Sequence, residues 1–236
     1  MTNICSIMQP TYLPWAGYFN LIARADHFYF LDDVQFEKGS WQQRNQILLG
    51  SHPCLLTVPV NRSNLGQLIN EVTIDTRRGN WRRKHIQSLS HAYSRKPYFN
   101  LIEPLLNIIE NESMTSICNL NIALIQQISE IIGLNTSFHL SSSHKIHSSR
   151  SLKLLALCEI TNSNVYLSPV GATDYLAEDS FESQSQVALQ IQDYQCVPYM
   201  QNQGRDFVSH MSIVDVLVNL GKKGTYDYVT SEMTIC

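Results

Sequence analysis

The sequence predicts an α/β fold: a Rossmann-like, mainly parallel sheet flanked by helices, with an inserted basic, largely helical middle segment. Three observations lead there. The chain opens strand, turn, helix, strand; its last third again alternates strands with helices; and the less regular middle between them is basic and mostly helical in pattern. At 236 residues with 44% hydrophobic and 16% charged side chains, it is rich enough in apolar residues to bury a core unaided.

Asn3 to Met8 is short, apolar and bounded by Pro10, as a buried strand is. Pro10, Pro14 and Gly17 punctuate a loop, and Tyr18, Leu21, Ile22 and Ala25 then share one helical face. His27 to Leu31 is aromatic-rich and reads as a second strand ending at Asp32-Asp33. A strand–helix–strand unit implies a parallel pair. Gln46 to Leu49 and Leu55 to Val60 read as a hairpin around Gly50-Ser51, followed by a short strand at Val72 to Ile74. Asn80 is placed to cap a helix from Trp81 to about Tyr93, and Pro97 and Pro104 flank a further short helix. Ser116 to Ile132 carries helical periodicity and stops at Gly133. Thr136 to Leu140 is a strand candidate. Ser151 to Glu159 reads as a helix with Leu152, Leu155 and Cys158 inward, and Val165 to Val170 as a strand. Val187 to Tyr194 alternates like an edge strand, and Ile213 to Leu220 is an apolar helix that Gly221 should stop. No linker or repeat interrupts this order, so residues 1–236 are expected to form a single domain, with 46–110 as a hairpin and helical insertion.

The six cysteines are scattered and none forms a CxxC pair, so neither a disulfide framework nor a structural zinc is expected. No signal-peptide pattern opens the chain and no uncharged apolar run reaches 18 residues, so a cytoplasmic protein without a membrane span is expected. The net charge of −3 is segregated: residues 38–96 hold ten of the 17 Lys and Arg with only Glu71 and Asp75 against them. A localised basic stretch suits an anionic ligand, or equally a solvated face. No DNA-reading motif is present, nor a phosphate loop, a dinucleotide fingerprint or a hydrolase elbow, so classical ATPase, dinucleotide-dependent and α/β-hydrolase readings lose support and the cofactor stays open, Mg²⁺ included.

In open α/β sheets, ligands bind beyond the carboxyl ends of the strands. That rule nominates three segments. Gln9, Tyr12, Trp15 and Tyr18 follow the first strand, before a helix N-terminus that could attract an anion. This layout resembles the first turn of HxGH nucleotidyltransferases, but Trp15-Ala16-Gly17-Tyr18 replaces the histidines, so nucleotidyl transfer is not inferred. Asp32 and Asp33 follow the second strand and are the candidate catalytic carboxylates, able to act as a general base, orient an amine or hold Mg²⁺; capping or pairing is the bland alternative. Gln35, Lys38, Trp41, Arg44 and Asn45 come next, with Trp41 able to cover a ring and Arg44 to bind an anion bidentately. Ser168 and Gly171 follow the late strand. Arg78, Arg82 and His85 would share one face if the helix begins early, giving a cluster able to bind diphosphate or an RNA backbone. His144 and His147 form an HxxH, but no nearby carboxylate in sequence supports a metal.

The run Gln9-Pro10-Thr11-Tyr12-Leu13-Pro14-Trp15-Ala16-Gly17-Tyr18-Phe19 resembles the N-terminal signature of the WbqC-like family. So does Phe30-Leu31-Asp32-Asp33-Val34-Gln35-Phe36 with Lys38, Ser40-Trp41-Gln42 and Arg44-Asn45. Leu56-Thr57-Val58-Pro59-Val60 and Tyr166-Leu167-Ser168 with Gly171 and Tyr175-Leu176 fit the same pattern, from about residue 4 to 221. Met8 stands where the family often has a histidine, so no base is assigned there. The resemblance implies a cytoplasmic protein of bacterial O-antigen or other surface-polysaccharide biosynthesis. An enzyme that acylates or aminoacylates a nucleotide-linked amino sugar, glycylation for example, would suit that setting. A tRNA-borne acyl donor and a non-catalytic binding protein are the alternatives.

Overall fold

A computed structural model describes residues 2–61, 66–148, 150–181, 186–202 and 206–231; Cys236 lies outside these. Its centre is a five-stranded, all-parallel sheet. The strands are β1 (Ile4–Met8), β2 (His27–Phe30), β7 (Ser137–Leu140), β8 (Val165–Ser168) and β9 (Ala188–Ile191), in the spatial order β7-β2-β1-β8-β9. Register is set by pairs such as Cys5 with His27, Ile4 with Val165 and Phe28 with Phe138.

Alternation along each strand sends neighbours to opposite faces. Phe28, Phe30 and Leu167 point into one core and Cys5, Ile7, Tyr29 and Tyr166 into a second, smaller one. The first face is covered by α1 (Ala16–Arg24), α4 (Ile117–Ile132) and α7 (Ile213–Thr230), the second by α5 (Ser151–Ile160) and α6 (Thr173–Glu178). Between β2 and α4 lie the hairpin β3 (Arg44–Leu49) and β4 (His52–Thr57), the pair β5 (Val60–Asn61) and β6 (Thr73–Ile74), then α2 (Trp81–Tyr93) and α3 (Glu103–Glu110). Their apolar residues, among them Ile47, Leu56, Trp81 and Leu105, join the first core.

Local chemistry accounts for most boundaries. Ser116 Oγ accepts the Asn119 N–H at the start of α4, and Gly133 ends it with φ 92°, in the left-handed region where no Cβ interferes. Pro97 and Pro104 flank a short 3-10 turn, Phe99–Ile102, and Pro104 sits in the first turn of α3, where a missing N–H costs nothing. Two expectations need correction. Gly221 breaks the helical φ/ψ pattern (71°, −178°), yet the chain resumes as helix to Thr230. In α5, Leu155 and Cys158 are buried but Leu152 is 56% exposed; the inward side chain is Lys153, which is held by a carboxylate described below.

Candidate functional site

β1 and β8 are adjacent, but the chain leaves β1 into α1 on the first face and leaves β8 towards α6 on the second. This divergence opens a crevice at the carboxyl ends of the strands, where open α/β sheets bind ligands. A cavity of about 590 Å³ occupies it. A second, of about 340 Å³, adjoins it and shares Met8, Trp15, Tyr18 and His210 with the first.

The loop after β1 is held through its carbonyls, with those of Gln9, Pro10, Tyr12, Leu13, Pro14 and Trp15 each accepting a hydrogen bond. Asn45 Nδ2 donates to the carbonyls of Tyr12 (3.1 Å) and Leu13 (2.9 Å), which secures Leu13 at φ 43°. Asn121 Nδ2, from α4, donates to the carbonyls of Pro10 (3.1 Å) and Gln42 (2.7 Å). The loop therefore presents Trp15 as a wall, in edge contact with Tyr194 and tilted against His210. Trp15 is the residue before α1 and offers no side-chain cap, so the first-turn N–H groups of that helix have no side-chain acceptor. The Tyr18 hydroxyl donates to the Gln9 carbonyl (3.0 Å), and burial raises its pKa well above the ordinary phenol value. Gln9 Oε1 accepts from Gln42 Nε2 (2.8 Å), which leaves the Gln9 amide N–H groups as donors at the cavity. Gln192 Nε2 donates to the Gly17 carbonyl and to Asn20 Oδ1, which leaves the Gln192 oxygen as an acceptor.

Of the residues nominated from sequence, Gln9, Trp15, Tyr18 and Gly171 line the larger cavity, and Trp15, Tyr18, Trp41 and Asn45 the smaller. The others stand elsewhere. Asp32 is buried: Oδ1 accepts the Ser142 N–H (2.9 Å) and Oδ2 accepts the Ser142 hydroxyl (2.6 Å). Asp33 Oδ1 pairs with Lys153 Nζ at 2.7 Å and lies 2.5 Å from Ser141 Oγ. Neither carboxylate lines the crevice; each locks the end of β2 to the turn after β7 or to α5, which is the capping and pairing role set beside the catalytic one. Gln35 and Lys38 are exposed, and Arg44 is half-buried beside Gly39, outside both cavities. Ser168 is buried, its hydroxyl turned to the Pro169 carbonyl.

The basic cluster is not one face. Arg78 precedes α2 and pairs with Asp75 (3.6 Å), as Arg77 does (3.1 Å). Arg82 is buried, donating to the carbonyls of Ile109 and Met114 (both 2.6 Å) with its guanidinium 4.5 Å from the Trp81 ring centroid. Tyr12 and His85 meet in the core, with Tyr12 Oη 2.9 Å from His85 Nδ1. Burial pushes the His85 pKa down to about 4, so the neutral ring can accept a hydrogen bond from that hydroxyl. The sequence reading missed Gln192, Tyr194 and His210. Gln192 and Tyr194 follow β9, so the rule of strand carboxyl ends could have found them; His210 lies in an irregular segment that carries no pattern.

Among the described residues, no three His, Cys, Asp or Glu side chains are grouped to hold a metal, and no helix is long and apolar enough to cross a membrane. The arrangement can hold a ring against aromatic walls and hydrogen-bond it through neutral amides.

No solved structure matches the chain significantly. "Uncharacterized protein Rv1507c" of Mycobacterium tuberculosis (strain ATCC 25618 / H37Rv) is 30% identical over 226 residues, covering 95% of this chain and 96% of that protein. The profile of the WbqC-like protein family matches residues 9–226, which include the Gln9–Tyr18 loop, the Asp32–Asn45 stretch and both cavities' walls but for Ile7 and Met8. On that near-complete match, the chain belongs to the WbqC-like protein family.

Proposed function

We propose that the protein is a cytoplasmic transferase of bacterial surface-polysaccharide (O-antigen) biosynthesis, which modifies a nucleotide-activated amino sugar by N-acylation or aminoacylation, such as glycylation. The observation that carries this reading is the crevice between β1 and β8, with two adjoining cavities that have room for two reactants. Trp15 and Tyr194 can cover a sugar face, while the Gln9 donor and Gln192 acceptor suit hydroxyl groups. Among the described residues no Lys or Arg lines either cavity, so the neutral sugar ring is assigned to the crevice rather than the diphosphate. The exposed Lys38 and the half-buried Arg44 are the candidate partners of the phosphates.

The tRNA-donor alternative draws less support than the charge count implies, because Arg82 is buried and Arg77 and Arg78 are paired to Asp75. Mass spectrometry after incubation with a dTDP-linked amino sugar, glycine and ATP, or with glycyl-tRNA instead, tests the reading. A gain of one glycyl residue on the sugar supports it, and the donor that yields it separates the two routes. Binding of the nucleotide sugar without turnover under any donor would make the protein a carrier of the same pathway.

A further inference from the structure

His210 stands where the two cavities meet and lines both. Its ring lies against the Trp15 indole, with centroids 4.9 Å apart and planes at 33°. Its backbone is at φ 59°, a left-handed conformation that costs a side-chain-bearing residue energy and is kept only where the surroundings impose it. The surroundings do so. Trp15 bridges to Ser212, the Ser212 N–H donates to the Gln46 carbonyl, and the Ile213 N–H donates to the Pro14 carbonyl, both at 2.8 Å. The segment carrying His210 is thus sewn to the loop carrying Trp15.

Of the groups that line the cavities, the imidazole is the one with a ring nitrogen able both to take and to return a proton. Asp32 and Asp33 are engaged away from the crevice. The hydroxyls of Tyr18 and Tyr194, and the Cys196 thiol beside the His210 backbone, all have pKa values raised by burial and keep their protons. No Asp, Glu, Lys or Arg lines either cavity among the described residues. His210 Nδ1 lies 2.9 Å from the Ser209 hydroxyl, which leaves the other ring nitrogen for a ligand.

We propose that the two cavities are the substrate lobes of one transfer site, and that His210, on the partition between them, is its proton-transfer residue. The proposal rests on the amino-sugar reading above and adds the group that does the proton work. The amine nitrogen attacks the carbonyl carbon of an activated acyl ester; the N–C bond forms and the C–O bond to the leaving group breaks. His210 takes the proton that the amine gives up and returns it to the leaving oxygen. R–NH₂ and R′CO–OX become R–NH–COR′ and HO–X, with the imidazole neutral again.

The test compares wild type with His210→Asn, which accepts the left-handed backbone but cannot titrate, and His210→Phe, which keeps a ring on Trp15. Both should bind a dTDP-linked amino sugar within about threefold of wild type by calorimetry. Amide formation by mass spectrometry should fall about 10²–10⁴-fold in kcat/KM. A variant that keeps the wild-type rate would overturn the role of His210 and leave the amino-sugar reading standing. Failure of the wild type to form amide from any activated acyl ester would overturn both.

Discussion

At the residue scale, the site depends on one missing side chain. A Cβ on Gly17 would lie 2.2 Å from the Trp15 indole, so Trp15 folds back over the first turn of α1 only because position 17 is glycine. Gly17→Ala gains helix propensity of about 1 kcal/mol, yet should expel Trp15 from the wall. Far-UV circular dichroism should stay unchanged while tryptophan emission shifts red and nucleotide-sugar binding drops; an unmoved emission spectrum would show that the indole has another seat. His85 is a second single-residue lever. Its folded pKa of about 4 lies below the ordinary 6.5, because burial penalises the charged ring. Below pH 6.5 the unfolded chain binds a proton that the native chain refuses, so this stability is complete above about 6.5 and is lost as pH falls towards 4, by about 3 kcal/mol in all. Urea unfolding at pH 7 and pH 5 of wild type and His85→Gln measures it: the wild type should lose more than the variant, and equal losses would refute the assignment.

At the element scale, α4 does more than cover the sheet. Asn121, fully buried on it, ties the loop after β1 to the turn that precedes β3 through two carbonyls. Asn121→Ala leaves both acceptors dry and should cost about 2–4 kcal/mol in chemical denaturation, with loss of ligand binding before loss of helix content. A cost below 1 kcal/mol would mean that water replaces the amide. Elements of this kind were legible in the sequence where the signal was local. Ser116 and Gly133 bracket α4, Pro10 and Gly17 bracket the loop, a short apolar run marks β1 and an aromatic-rich one marks β2. What was not legible depends on partners distant in sequence. Periodicity turned Leu152 inward, but Asp33, 120 positions earlier, draws in Lys153 instead. Arg82 read as a surface cation, and it is buried because the carbonyls of Ile109 and Met114 receive it. The same distance effect removed Asp32 from the crevice and left His210 unannounced, so the loop of the candidate site was readable and its acid–base chemistry was not.

At the scale of the whole molecule, the Asp33–Lys153 pair joins the end of β2 to α5, with both side chains mostly withdrawn from water. Asp33→Asn or Lys153→Met alone strands a charge and should destabilise by about 3–5 kcal/mol. The double variant should recover most of that, and a double-mutant cycle with no coupling would deny the pair any role. The sheet also divides the interior unequally: the hairpin, α2, α3, α4 and α7 share the larger core, whereas α5 and α6 rest on the smaller one. Cooperative units with less buried apolar contact open more readily than the rest. Amide protons of α5 and α6 should therefore exchange with deuterium by a subglobal route, well before those of α1 and α4. Since Pro169 to Ala172, leading into α6, form one bank of the crevice, that breathing would widen the cleft from a single side, giving a bulky ligand a way in while the Trp15 bank stays put.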